Sequence, residues 1–223
     1  MLELLKMIFK KYSFIMKLTI ISDTHNRHED VILPKGEVLI HAGDFTGRGT
    51  RAECVSFLKW FAKQNFKYKI LIAGNHDFFF EKNEKEEIQE ILPKNIHYLN
   101  NSSITIEGVN FYGSPITPFF HNWAFNRERG KEIKQYWDEI SDNTDVLITH
   151  GPPFGILDKT VRGEKVGCEE LLLAVKRIKP KFHIFGHIHE DYGIVEKNET
   201  TFINASLLNE RYYYVNDFVK VDI

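Results

Sequence analysis

The stretch Leu-Thr-Ile-Ile-Ser-Asp-Thr-His, residues 18–25, joins an apolar run to a carboxylate and an imidazole two residues apart. Such a run predicts a buried strand that ends in polar side chains at the edge of a sheet. In an extended backbone, residues two apart point to the same side, so Asp23 and His25 could grip one cation. Taken alone the motif is weak, because an aspartate at this place could simply cap a turn.

The same arrangement of an apolar run followed by polar side chains recurs four times along the chain. Gly43-Asp44 follows the run Val38–Ala42, and Gly74-Asn75-His76-Asp77 follows Ile70–Ala73. Later in the chain, His150-Gly151-Pro152-Pro153 follows Val146–Thr149, and Gly186-His187-Ile188-His189 follows Phe182–Phe185. Each cluster has an ordinary explanation as a turn or loop. Ligands of open α/β sheets bind at the carboxyl ends of strands, however, so five such clusters are expected to converge on one site.

The segments between these runs predict an α/β domain with one mixed sheet or two packed sheets. Helices are expected at Arg51–Phe66, Glu84–Ile91, Arg127–Ile140 and Val166–Ile178, and further strands at Ser103–Tyr112, Ile194–Ile203 and, at an edge, Asp217–Val221. Thr50 and Glu53 stand at capping-box spacing before the first helix.

The composition places the chain among globular proteins. Its 223 residues suit a single domain, and a net charge of −2 argues against extended nucleic-acid binding. Cys54 and Cys168 lack the spacing of a zinc or redox motif, so a pair of reduced thiols is expected. Residues 1–16 predict an N-terminal extension with weak ordering signals, too short in its apolar runs for a membrane span or signal peptide, before a domain at 17–223. A cytoplasmic location is expected.

Taken in order, the five polar clusters resemble the calcineurin-like metallophosphoesterase superfamily. The longer strings Thr149-His-Gly-Pro-Pro, Val166-Gly-Cys-Glu-Glu-Leu, Phe185-Gly-His-Ile-His-Glu and Asn204-Ala-Ser-Leu-Leu-Asn-Glu are similar to those of its small metallophosphoesterase-domain subfamily, which includes vertebrate brain proteins. The resemblance runs from about Lys17 to the C-terminus.

The resemblance implies a four-layer α/β/β/α sandwich with two metal ions at one end of its two sheets. It places Asp23, His25 and His189 on the first metal, Asn75, His150 and His187 on the second, and Asp44 between them. His76 is implied to be the catalytic histidine rather than a ligand.

One departure from the family pattern concerns the orientation of His76. Many family phosphatases have an aspartate three residues after the bridging one, where this chain has Gly47. Asp77 or a water could take over that task, and Asp77 is also a candidate for substrate binding. Arg48 matches an arginine that grips phosphate in some members, but it could equally be a solvated loop charge.

A phosphoesterase mechanism follows from this implied site. A hydroxide that bridges two divalent metals would attack phosphorus directly, and His76 would protonate the leaving alkoxide. The oxygen and nitrogen ligand set suits Mn²⁺, Fe, Zn²⁺, Co²⁺ or Mg²⁺, with Mn²⁺ the first choice.

The substrate is the least determined part of the prediction. The segment Pro115–Arg129 is rich in aromatic side chains, which could wall a cleft or could serve as buried loop anchors; Trp123 is the candidate for substrate contact. A small phosphodiester, including nucleotides, is favoured, and a phosphomonoester, a protein phosphatase substrate or a weakly active metal-stabilised binding scaffold are the alternatives. The oligomeric state is left open.

Overall fold

The computed structural model describes residues 15–223, so most of the expected 1–16 extension lies outside the described residues. Met16 is already buried and exchanges two backbone hydrogen bonds with Ile223, each 2.9 Å long. The packed domain therefore includes at least one residue that was expected in the extension. The division of the chain at residue 17 stays a prediction.

The first sheet contains five strands in the order β13-β1-β2-β3-β4. Its members are β1 (Lys17–Ile21), β2 (Gly36–Ala42), β3 (Phe66–Ile72), β4 (His97–Tyr98) and β13 (Val219–Asp222). All neighbours are parallel except β13, which pairs antiparallel with β1 at the edge. The parallel arrangement brings the polar clusters after β1, β2 and β3 to one end of the sheet.

The second sheet contains six strands in the order β11-β12-β10-β9-β6-β5. Its members are β5 (Ser102–Ile106), β6 (Val109–Ser114), β9 (Val146–Thr149), β10 (Phe182–Phe185), β11 (Gly193–Lys197) and β12 (Thr200–Asn204). The four central strands are parallel, and the antiparallel strands β5 and β11 form its edges. A separate two-stranded ribbon joins β7 (Thr117–Pro118) to β8 (Asn126–Arg127).

Five α-helices connect these strands. They are α1 (Arg51–Lys63), α2 (Phe78–Lys82), α3 (Lys85–Ile91), α4 (Lys131–Asp138) and α5 (Glu169–Ile178), and single 3-10 turns lie at His28–Asp30 and His189–Asp191. The predicted capping box of α1 is present, with the Thr50 hydroxyl accepting from the Glu53 amide. None of the helices in the described part of the chain is long and apolar enough to cross a membrane.

The hydrophobic core lies in three layers that alternate with the sheets. Between the sheets, β1, β2 and β3 contribute alternate residues such as Ile20 and Ile40, which pack against Ile148 and Ile184 of the second sheet. The opposite faces of both sheets pack against helices: Phe57 of α1, for example, lies with its ring 4.9 Å from that of His41 on β2. The result is a helix–sheet–sheet–helix sandwich, which confirms the predicted fold class.

Several predicted elements are shorter or divided in the structure. Ser103–Tyr112 and Ile194–Ile203 are hairpins rather than single strands, because Glu107-Gly108 and Asn198-Glu199 adopt the left-handed conformation that two-residue hairpin turns require. The first helix ends at Lys63, since the chain must extend into β3. The helix predicted at Val166 begins at Glu169, where the Cys168 sulfur accepts from the Leu171 amide. Cys54 and Cys168 are buried free thiols, as expected.

Burial of His183 on β10 makes stability depend on pH. Its Nε2 lies 2.9 Å from the Thr149 hydroxyl, Nδ1 has no partner, and burial lowers the pKa from the ordinary 6.5 to about 3. Below about pH 6.5 the unfolded chain therefore binds a proton at His183 that the folded chain does not bind. Protonation favours the unfolded state, so the free energy of unfolding decreases as the pH falls.

We predict that His183→Gln weakens this acid sensitivity. Between about pH 7.5 and about pH 5, the wild type should lose about 2 kcal/mol more free energy of unfolding than the variant. Urea unfolding of both proteins in the same buffers measures this difference. Parallel stability curves would show that His183 titrates alike in the folded and unfolded chains.

Candidate metal centre

The five polar clusters lie together at the carboxyl ends of the parallel strands. Backbone hydrogen bonds tie the first two clusters to each other: the Asp23 amide donates to the Gly43 carbonyl and the His25 amide donates to the Asp44 carbonyl, both at 3.0 Å. The Gly186 amide donates to the His150 carbonyl at 3.0 Å and links the two clusters of the second sheet. The site is therefore built where the ends of the two sheets meet.

Asp23, His25 and His189 form one group of converging ligand atoms. The Nε2 atoms of His25 and His189 are 3.2 Å apart, and the Asp23 Oδ1 atom lies 3.4 Å from Nε2 of His189 and 3.9 Å from that of His25. Two imidazole nitrogens and a carboxylate oxygen at this spacing suit a single cation of the size of Mn²⁺ or Zn²⁺.

Asp44, His150 and His187 form a second group. The Nε2 atom of His150 lies 3.3 Å from Asp44 Oδ2 and 2.9 Å from the Asn75 side-chain oxygen. Asp44 Oδ2 also lies 3.7 Å from Nε2 of His25 in the first group. The Asp44 carboxylate thus belongs to the second group and also lies beside a nitrogen of the first.

Backbone carbonyls fix the orientation of four site histidines. Nδ1 of His25, His76, His150 and His189 lies 2.8–3.2 Å from the carbonyl oxygens of Thr46, Gly47, Ala42 and Asn209 respectively. A proton on Nδ1 donates to the carbonyl and leaves the Nε2 lone pair unprotonated in the neutral ring. This is the tautomer that a metal requires, and the outer hydrogen bond holds the ring in place.

The electrostatics of the group are dominated by two buried carboxylates. Burial by itself would raise the pKa values of Asp23 and Asp44, but His189 and His150 outweigh it and hold both below the usual range. In turn, although burial opposes it, these carboxylates raise the pKa values of His150 and His189 to about 9. The two carboxylates thus place negative charge beside the candidate ligand nitrogens, and bound divalent cations would offset that charge.

The local backbone differs from the extended form on which the same-side argument rested. Asp23 and His25 have φ values of 55° and 38°, Asp44 has 55° and His187 has 70°. The extended-strand explanation was therefore wrong, although the side chains do converge. Positive φ is uncommon outside glycine and costs free energy, and its concentration in these turns is typical of a functional site.

Two glycines make room for the carboxylates. A Cβ atom at Gly186 would lie 2.0 Å from Asp23 Oδ2, and one at Gly74 would lie 2.3 Å from Asp44 Oδ1. No side chain can occupy these positions without displacing a candidate ligand.

His76 lies at the edge of the candidate centre and is partly exposed. Its Nδ1 lies 2.8 Å from the carbonyl oxygen of Gly47, the residue that stands where the family pattern has an aspartate. The Gly47 backbone carbonyl therefore orients the ring in place of an aspartate side chain. The Trp123 ring stacks on the imidazole with centroids 4.2 Å apart. The structure therefore brings both predicted residues to the cleft.

Asp77 and Arg48, the other two candidates for substrate binding, lie outside the cleft wall. Asp77 is fully buried, and its carboxylate accepts from the Thr46 hydroxyl at 2.7 Å and the Gly74 amide at 2.8 Å. Burial raises its pKa to about 8. Its position indicates support for the turns rather than substrate contact. Arg48 is exposed on the loop before α1, and its role in binding phosphate stays a prediction.

Sequence analysis missed several residues of the site. The cleft above the ligand groups, about 240 Å³ in volume, is also lined by Glu190, Glu210 and Tyr212, in addition to Phe120 from the aromatic segment that was predicted as a possible cleft wall. Ser206 lies beneath it and donates to Asp23 Oδ2 at 2.9 Å. The string that begins at Asn204 stands out in the sequence only as a family feature, and Tyr212 is the first of three consecutive tyrosines that match no catalytic or binding motif.

Comparison with known proteins confirms the family resemblance. The profile of the family described as Calcineurin-like phosphoesterase matches residues 16–191. Metallophosphoesterase domain-containing protein 1 of Homo sapiens is 40% identical over 226 residues, covering 91% of this chain and 69% of that protein. UPF0046 protein K07C11.7 of Caenorhabditis elegans is 40% identical over 207 residues, covering 87% of this chain and 71% of that protein.

Solved structures agree with the fold. Phosphopantetheinyl hydrolase from Mycobacterium tuberculosis superposes with a TM-score of 0.60 at 15% identity, over 88% of this chain and 90% of that one. At this level of identity the likeness concerns the fold alone.

We predict that Gly74→Ala impairs metal binding. The added methyl group would contact Asp44 Oδ1 and the His150 ring, so the variant should lose about 1–3 kcal/mol of stability and bind Mn²⁺ at least tenfold more weakly. Isothermal titration of the metal-stripped protein gives the affinity. Gly151→Ala is the matched control, because its nearest neighbours would be 3.5 Å and 3.9 Å away. Equal Mn²⁺ affinity in both variants would contradict the packing argument.

Proposed function

Because this chain belongs to the calcineurin-like phosphoesterase family, we propose that it is a metal-dependent phosphodiesterase that acts on small phosphodiesters, nucleotides among them. The observation that carries the proposal is the position of Asp44, whose carboxylate lies beside both groups of candidate ligands. A carboxylate in this position could contact two metal ions at once and so hold them at the short separation that two-metal phosphoryl chemistry uses.

The donor set fits two divalent metals. Asp23, His25 and His189 would hold one, Asn75, His150 and His187 the other, with Asp44 between them. The mixture of oxygen and nitrogen donors without sulfur suits Mn²⁺, our first choice, as well as Fe, Zn²⁺, Co²⁺ or Mg²⁺. Such ions, when bound, would acidify a water and offset the charge that develops on the phosphoryl oxygens.

His76 is proposed as the proton donor to the leaving oxygen. In its protonated form the ring donates through Nδ1 to the Gly47 carbonyl and presents a second proton on Nε2. Its ligand-type nitrogen lies within 4.8 Å of the corresponding atoms of His25 and Asp44, close to where phosphorus would react. Stacking on Trp123 limits rotation of the ring and so maintains this direction.

The charge of the cleft favours diesters over monoesters. Glu190 and Glu210 line it, and none of its lining residues in the described part of the chain is a lysine or arginine. A phosphodiester carries one negative charge, whereas a monoester carries close to two at neutral pH. Apart from the proposed metals, the cleft therefore offers no basic side chain to a second phosphate charge or to an acidic protein substrate, which supports the diesterase over the phosphomonoesterase and protein phosphatase alternatives. A cytoplasmic location and a small-molecule partner remain parts of the prediction.

We predict that His76→Asn loses turnover but keeps its metals. The loss should be roughly 10²- to 10⁴-fold with diphenyl phosphate, whose leaving group needs a proton. It should be smaller with bis(p-nitrophenyl) phosphate, because p-nitrophenolate leaves without one. Rates are measured in metal-stripped protein reloaded with Mn²⁺, beside metal content by elemental analysis.

The control for this prediction is the same substitution at His121, an exposed residue between Phe120 and Trp123. His121→Asn should leave both rates unchanged, since asparagine tolerates its φ of 50°. If His76→Asn reduces metal content as well, His76 is a ligand. A wild-type rate with diphenyl phosphate would remove it from the reaction.

We also predict a preference for the diester. With Mn²⁺, kcat/KM should be higher for bis(p-nitrophenyl) phosphate than for p-nitrophenyl phosphate, and Asp44→Asn should lose both activities and its metals. Asp138→Asn on the surface of α4 is the matched control and should behave as the wild type. A higher kcat/KM for the monoester would exclude the diesterase proposal, and unchanged activity of Asp44→Asn would exclude the shared-carboxylate site.

A further inference from the structure

The loop Asn209–Tyr213, here the tyrosine loop, holds Tyr212 in a strained conformation beside the cleft. Tyr212 has a φ of 61°, which is rare for a bulky residue. Five hydrogen bonds maintain the loop, and one of them runs from the Asn209 amide to the Tyr213 carbonyl at 2.9 Å. The Asn209 side-chain oxygen accepts from the Arg211 and Tyr213 amides at 3.0 Å, the Tyr212 amide donates to the Asn209 carbonyl at 2.8 Å, and Arg27 donates to the Tyr212 carbonyl at 3.0 Å.

The strained backbone places the Tyr212 ring against two candidate ligands. Its centroid lies 4.9 Å from that of His25 and 5.5 Å from that of His189. The Asn209 carbonyl of the same loop lies 3.0 Å from Nδ1 of His189 and orients that ring. Even so, 46% of the Tyr212 side chain remains exposed, so one side of it is available to a bound molecule.

Tyr212 and Trp123 lie at the two ends of a row of four rings that includes the proposed proton donor, His76. Trp123 stacks on His76, the His76 ring meets the His25 ring edge-on at 4.6 Å, and Tyr212 meets His25 in the same way. In the proposed reaction the leaving group lies next to His76 and hence next to Trp123. Tyr212, at the other end of the row, is placed beside the ester group that stays on phosphorus.

The charges around Tyr212 restrict what this second group can be. Glu190 and Glu210 also line the cleft; one Glu190 oxygen accepts from the Val161 amide at 2.8 Å, and a Glu210 oxygen lies 3.5 Å from Nε of the exposed Arg211. An additional phosphate or carboxylate on the substrate would face these carboxylates without a basic partner among the cleft residues. An uncharged planar group could instead pack on the phenol ring.

We propose that Tyr212 determines specificity by packing against an uncharged aromatic or nucleoside ester group that remains on phosphorus. This inference rests on the phosphodiesterase function proposed above. It assigns the substrate class as diesters with two organic groups, one cleaved beside Trp123 and one retained beside Tyr212, rather than nucleoside polyphosphates or simple alkyl diesters.

The test compares two diesters with the same leaving group. Bis(p-nitrophenyl) phosphate retains an aryl group on phosphorus, whereas methyl p-nitrophenyl phosphate retains only a methyl group. In Tyr212→Ala the ratio of their kcat/KM values should fall roughly five- to tenfold, mainly through a higher KM for the aryl substrate, which is the size expected of one lost aromatic contact. Tyr212→Phe should restore the ratio.

Tyr213→Ala is the matched control, because Tyr213 lies in the same loop, is 61% exposed and does not line the cleft. Its ratio should equal that of the wild type. An equal loss of kcat/KM for both substrates in Tyr212→Ala would mean that Tyr212 only supports His25 and His189. Unchanged kcat/KM values for both substrates would mean that Tyr212 makes no substrate contact. Either result overturns the inference. So does a shift of the ratio in Phe120→Ala alone. Wild-type protein that cleaves neither diester would instead overturn the phosphodiesterase proposal itself.

Discussion

The arrangement of this protein depends on neutralising two buried carboxylates in one place. Asp23 and Asp44 are almost completely inaccessible, and neither has a lysine or arginine partner in the described structure. Ionised carboxylates in such surroundings are costly unless hydrogen bonds and opposite charges surround them. The Ser206 hydroxyl and the His187 amide donate hydrogen bonds to Asp23, and the His76 amide donates one to Asp44. Histidine side chains lie beside both carboxylates. A pair of metal ions would satisfy the same requirement more fully.

The double-sheet architecture supplies these partners from distant parts of the chain. Parallel strands bring the turns after β1, β2 and β3 to one edge, and the second sheet brings those after β9 and β10 to the same place. Turns rather than helices carry the candidate ligands, and their carbonyl groups orient the imidazole rings. The close approach of backbone to carboxylate at Gly74 and Gly186 explains why glycine occurs in the turns that follow β3 and β10. Packing of the apolar layers therefore sets the geometry of the polar site.

Much of this could be predicted because apolar runs and polar clusters alternate in a regular order. Strands such as Val146–Thr149 match the prediction to the residue, since a short apolar run bounded by polar residues has few other solutions. Residues whose place depends on long-range contacts could not be found. The Gly47 carbonyl orients His76 in place of an aspartate side chain, and a backbone contact cannot be recognised from the type of residue. Tyr212 reaches the cleft because its loop has a left-handed conformation and is hydrogen-bonded by Arg27, which is distant in sequence. Asp77 resembles a functional residue of its motif, yet its burial is visible only in three dimensions.

Anomalous X-ray diffraction from crystals equilibrated with Mn²⁺ will show whether two metal ions share Asp44. We expect two strong anomalous peaks, one beside Asp23, His25 and His189 and one beside Asn75, His150 and His187, with the Asp44 carboxylate in contact with both. A single peak, or two peaks of which Asp44 contacts only one, would show that Asp44 is not a shared ligand.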